Sequence, residues 1–97
     1  MSVANFDVGD LVKVAVQYSA AGLAVDPTTV TFKMKSPTPT TTTYLYGTDA
    51  ELVRASAGLY YVLVSATSAG RWYVRFSSTG TYQSAVEDDF YVRTSQF

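Results

Sequence analysis

The chain carries no His and no Cys, and that decides what chemistry its remaining reactive groups can perform. Ser-His-Asp and Cys-His nucleophiles are excluded, as are thiolate zinc sites and the imidazole that usually serves as metal ligand or general base near neutral pH. Carboxylate pairs are what is left. Glu87-Asp88-Asp89 is the one acidic run, and in a strand Glu87 and Asp89 share a face while Asp88 takes the other. Calcium would need further oxygen ligands at loop spacing, and glycoside hydrolysis would need a deep cleft around two carboxylates; the sequence supplies neither. The run therefore reads as a strand whose acids pair with Arg71, Arg75 or Arg93 beside it. No catalytic, cofactor-binding or metal-ligating residue is expected, and the chain is not read as an enzyme.

Recognition is the better-supported chemistry. Arg71, Tyr73 and Arg75 alternate with Trp72, Val74 and Phe76, so the first three face outward if the second three face a core. If this segment forms a hairpin with Val86 to Arg93, then Tyr91 and Arg93 lie beside that row. Tyr and Arg are enriched at protein interfaces, although the same array also suits ordinary pairing on a solvated sheet. Tyr61, with Leu63, forms a smaller outward patch expected on the other sheet, and Tyr44 and Tyr46 complete the aromatic interface candidates. The single Trp, Trp72, shares the phase of Val74 and Phe76 and is expected in the core, which argues against its use as a sugar-stacking platform.

Strands must position these residues, because the sequence alternates wherever it is apolar. Leu11 to Tyr18 sets Val12, Val14, Val16 and Tyr18 on one face, with Lys13 and Gln17 opposite. Val30, Phe32 and Met34 alternate with Thr31, Lys33 and Lys35. Two segments then repeat one pattern, Gly58-Leu59-Tyr60-Tyr61-Val62-Leu63-Val64-Ser65 and Gly70-Arg71-Trp72-Tyr73-Val74-Arg75-Phe76-Ser77. Shorter strands are expected at Tyr44 to Tyr46 and Glu51 to Arg54, and a last one over Val86 to Arg93 with Phe90 and Val92 inward. Asp7 to Asp10 reads as a turn, Ser19 to Thr29 and Ser77 to Ala85 as loops, and Thr94 to Phe97 as a frayed tail. Ser36-Pro37-Thr38-Pro39-Thr40-Thr41-Thr42-Thr43 is an exposed loop or edge. It would either block strand-to-strand aggregation or order against a neighbouring subunit. Ser56-Ala57-Gly58-Leu59-Tyr60 resembles a tyrosine corner, whose phenol bonds to nearby backbone, although it precedes strand E here and not F.

The sum is an all-β chain, expected to form a single immunoglobulin-like antiparallel β-sandwich of about seven strands over residues 1–97. A hydrophobic content of 47% is that of a globular domain. The net charge of −1, with Lys and Arg scattered, excludes the basic footprint of a nucleic-acid binder and the polybasic segment of a membrane-surface binder. No apolar run approaches the ~20 residues of a spanning helix. Residues Met1 to Asp7 lack the basic and apolar regions of a signal peptide, and the expectation is a whole small gene product that needs no disulfide.

The chain resembles the small Ig-like structural proteins encoded among the virion genes of tailed bacteriophages. The residues that carry the resemblance are Phe6-Asp7-Val8-Gly9-Asp10-Leu11-Val12, Asp26-Pro27-Thr28-Thr29-Val30-Thr31-Phe32-Lys33, Gly58-x-Tyr60, Gly70-x-Trp72-Tyr73 and Phe90-x-Val92, in that order along nearly the whole chain. The resemblance implies a non-enzymatic virion component made in the bacterial host cytoplasm and present in multiple copies. Its expected work is capsid decoration or a minor head role, binding the major capsid protein through a sheet face or loop edge. A neck or tail component and a carbohydrate- or cell-surface-binding module are the alternatives, with host surface glycans as a second expected partner. It implies no cofactor and no catalytic residue.

Overall fold

Ten strands and the turns between them account for residues 5–94, the part of the chain that the computed structural model describes. They are β1 (Asn5–Asp7), β2 (Leu11–Gln17), β3 (Ser19–Ala20), β4 (Leu23–Ala24), β5 (Thr29–Lys35), β6 (Thr41–Leu45), β7 (Leu52–Ser56), β8 (Leu59–Ser65), β9 (Gly70–Thr79) and β10 (Ser84–Arg93). Five strands form one sheet in the order β1-β10-β9-β5-β6, and three form the other in the order β2-β8-β7. Packed face to face, they make an all-β, immunoglobulin-like sandwich. The pair β3–β4 is a two-residue hairpin set apart from both sheets, closed by Ala21 and Gly22, both at positive φ, as a mirror-image two-residue turn requires.

The alternation of the sequence becomes the alternation of burial. Val12 and Val14 on β2, Tyr60, Val62 and Val64 on β8, Trp72, Val74 and Phe76 on β9, and Phe90 and Val92 on β10 are all buried, with Val30 and Phe32 from β5 between them. Removal of their apolar surface from water is the main favourable term in folding. Trp72 stacks on Phe90 with centroids 5.9 Å apart and 11° between planes, and its indole N–H donates to the Ser68 carbonyl at 3.1 Å. Phe32 meets Phe76 at 4.9 Å. The two Gly-x-aromatic strands do not pair with each other: β8 lies between β2 and β7, and β9 between β5 and β10.

Several details depart from the sequence expectation. Phe6 lies on a three-residue strand, β1, which pairs in parallel with β10; every other pairing is antiparallel. The polar loop after β9 is shorter than Ser77 to Ala85, because both strands run on and the buried Ser78 ties them. Its hydroxyl donates to the Tyr82 carbonyl at 2.7 Å and accepts from the Ser84 N–H at 3.0 Å. The threonine run is itself strand: β6 begins at Thr41 and forms the sheet edge, so only Ser36 to Thr40 is loop. The readings of Met1 to Ala4, and of the tail beyond Thr94, lie outside the described residues.

Candidate functional site

Five of the eight candidate interface residues converge on one surface. Arg71, Tyr73 and Arg75 project from β9, and Tyr91 and Arg93 from β10, onto the outer face of the five-stranded sheet. The β9–β10 hairpin sets Tyr91 opposite Arg71, Asp89 opposite Tyr73, and Glu87 opposite Arg75. Glu87 and Asp89 are therefore on this face, and Asp88, opposite Val74, is on the other. The acids meet arginines: Arg75 pairs with Glu87 at 2.5 Å, Arg71 with Asp89, and Arg93 with Asp7 of β1 at 2.9 Å. All three pairs are solvent-exposed to a degree that limits each to a small contribution to stability.

The remaining strands extend this face. The β5 register puts Lys33 beside Arg75 and Lys35 beside Tyr73, and β6 adds Thr43 and Thr41 next to those lysines. None of the four ion pairs among the described residues uses Lys33 or Lys35. Together Lys33, Lys35, Thr41, Tyr73, Arg75, Glu87 and Asp89 line an open depression of about 570 Å³, in which Tyr73 is 52% exposed. The face thus has a neutralised half on β10 and a cationic half on β5. An aromatic ring stands between them. Sequence reading placed Lys33 and Lys35 outward without joining them to the arginine row. The alternation with Phe32 and Met34 contained their direction, but their neighbours depend on β5 pairing with β9 across some forty residues.

Three candidates fall elsewhere. Tyr61 is outward on the other sheet, opposite Ala15, with the Lys13 ammonium 4.7 Å from its ring centroid. Tyr46, just past β6, is exposed and meets Tyr60 edge-on at 5.2 Å. Tyr44 is corrected: its register opposite Phe32 turns it inward, where it is half-buried and stacks on that ring at 6.2 Å. No family model and no curated protein matches the chain. Its site must be judged on its own geometry, and among the described residues no three acidic side chains are grouped to hold a metal ion.

A second polar cluster is a staple and not a recognition site. Asp26, on the loop into β5, accepts from the Arg54 guanidinium at 2.9 and 3.1 Å, from the Gly58 N–H at 2.8 Å and from the Tyr60 hydroxyl at 3.0 Å. The arginine, then the Gly58 N–H, hold its carboxyl well below the usual carboxylate range. Burial, reinforced by the carboxylate beside it, pushes the Tyr60 phenol up to about 12. Gly58 is needed here: at φ +72°, a Cβ would strike the carbonyl oxygens of Tyr18 and Val25. The tyrosine-corner expectation is thus corrected in its partner, since Tyr60 bonds a distant carboxylate and not nearby backbone. Asp26-Pro27 reads in sequence only as a turn, because its three partners, Arg54, Gly58 and Tyr60, all lie about thirty residues on.

Proposed function

We propose that this chain is a non-enzymatic structural protein of a phage virion, a capsid decoration or minor head protein that docks on the shell through the outer face of its five-stranded sheet. The observation that carries the reading is the gathering of Arg71, Tyr73, Arg75, Tyr91 and Arg93 on one exposed face, with Lys33 and Lys35 unpaired among the described residues beside them. Exposed tyrosines flanked by cations are what an anchored protein interface uses. Paired arginines on β9 and β10 fix their own geometry, whereas the β5 lysines are left to meet carboxylates of a partner. The resemblance to small Ig-like virion proteins supplies the partner class, the major capsid protein, and the site of manufacture, the host cytoplasm.

The test is mass spectrometry of phage particles purified from a lysate of the strain that carries the gene. Hundreds of copies per particle are expected. Around five to a dozen would move the protein to a neck or tail ring, and absence would sink the virion reading. Particles carrying the Lys33→Glu, Lys35→Glu double variant should retain at least about tenfold less of it, since like charges then oppose the partner's acids. Equal retention of this variant would remove the β5 side of the face from the interface. The carbohydrate-binding alternative finds less support, because Trp72 is buried and only Tyr73 and Tyr91 offer exposed rings on this face.

A further inference from the structure

An edge strand with unpaired N–H and C=O groups templates the addition of another strand unless it is short, bulged, charged or covered. The sandwich has such devices on nearly every edge. β1 has three residues. The stretch of β10 that β1 leaves uncovered contains Glu87, Asp88 and Asp89. β6 has five residues and is led in by Pro37 and Pro39. β7 is broken by a bulge between Arg54 and Ser56. β2 is neither short nor bulged nor led in by proline, and it carries a single charge, Lys13. Its seven residues, Leu-Val-Lys-Val-Ala-Val-Gln, run in unbroken register along β8, and among the described residues nothing pairs with its other side.

We propose that a second copy of this chain occupies that edge: β2 pairs antiparallel with β2 of the second copy, and two three-stranded sheets become one six-stranded sheet across a two-fold axis. The edge is its own complement. With Val14 opposite Val14 on the axis, Val12 meets Val16 and the inward residues pair valine with valine, the β-branched partners that sheets favour. Lys13, the only charge on the strand, falls opposite Ala15, so no like charges face each other directly. Leu11, 65% exposed, meets Gln17.

A second observation points to the same corner. Val86 lies on the inward face of β10, opposite the buried Phe76, yet is 43% exposed. The three-stranded sheet is narrower than the sheet it covers, and Gln17 and Ser84 line one small depression of about 220 Å³, so β2 ends at the end of the sandwich where β10 begins. A strand added outside β2 widens the narrow sheet, and its end near Gln17 lies at the end of the sandwich where Val86 is exposed. The contact spans roughly 23 Å of edge, less than a standard interface, so the dimer is concentration-dependent. It leaves the outer face of the five-stranded sheet open and does not depend on the shell reading.

The test is sedimentation equilibrium of the full chain with charges placed by the register, each variant checked for its fold by circular dichroism. Ala15→Lys puts two like-charge pairs across the axis and should weaken dimerisation about tenfold. Ala15→Glu puts two opposite-charge pairs there and should strengthen it by a similar factor. The double variant Lys13→Glu, Ala15→Lys reverses the signs of the same two opposite-charge pairs and should likewise strengthen dimerisation, reversing the loss seen with Ala15→Lys alone. If Ala15→Lys does not fold, the other two variants still decide the matter. A chain monomeric up to about 1 mM would overturn the proposal and leave the edge to a strand from another protein. Lysine and glutamate at position 15 acting in the same direction would overturn it as well.

Discussion

The two outer faces of the sandwich are built from the same alternation and end up as opposites. The five-stranded sheet turns out Arg71, Arg75, Arg93, Lys33, Lys35, Glu87 and Asp89 around two tyrosines. The three-stranded sheet turns out Leu11, Ala15, Val53, Leu59 and Leu63, and its Lys13 lies against Tyr61. Leu63 is 50% exposed and Leu11 more so. A long-range charged face selects a partner and its orientation. A small apolar face with one open edge gains from any well-shaped neighbour, including itself. One fold therefore presents two surfaces of different character, one charged and sensitive to salt, the other apolar with an open backbone edge.

Both faces rest on one core, and the largest expected effect comes from breaking it. Phe32→Ala removes a ring that no solvent reaches and that touches Phe76 and Tyr44. It should cost about 3–5 kcal/mol in urea unfolding. Because Phe32 underlies Lys33 and faces the opposite sheet, both contacts should weaken together. A variant that lost only the charged contact would mean that the faces are supported independently.

A smaller effect separates the two regions by pH. Asp26 has a depressed pKa in the fold, so its contribution is present above the unfolded value and is lost as pH falls below about 4. Tyr60 has a raised one, about 12, so its contribution is present below the unfolded value and is lost as pH rises from about 10 to about 12. The melting temperature should fall at both ends, and Asp26→Asn should flatten the acid arm at the expense of stability at neutral pH. An unchanged acid arm in this variant would remove the Asp26 staple as the source of the acid sensitivity.

The smallest effect tests whether the charged face is spent on stability at all. A double-mutant cycle on Arg75 and Glu87 should give 0–1 kcal/mol, shrinking with salt. Coupling well above that, or indifference to salt, would make the pair a structural one and weaken the case for recognition.

How much of this was legible in the sequence follows from which information is local. Alternation is local, so the inward residues of β5, β8 and β9 and the outward row Arg71, Tyr73 and Arg75 could be placed directly. Tyr44 could not. In Tyr44-Leu45-Tyr46 either phase is apolar, and the choice is made by the pairing of Tyr44 with Phe32. β1 was hidden because three residues carry no period. The Asp26 staple was hidden because a carboxylate bonded to a side chain about thirty residues away leaves no spacing signal. The charged depression lies between these cases: each residue's direction is local, and their assembly needs the strand order.

The parallel pairing of β1 with β10 has a consequence for synthesis. Asn5 to Asp7 leave the ribosome first among the described strands, and their only strand partner, Tyr91 to Arg93, comes last. β5 likewise waits for β9. The three-stranded sheet can close once Ser65 has emerged, while the larger sheet cannot be completed before Arg93 is free. Such long loops make folding slow. During that interval the nascent chain exposes the side of β5 that awaits β9 to every neighbour on the same message, so a protein needed in many copies would be under pressure to finish quickly or to be chaperoned.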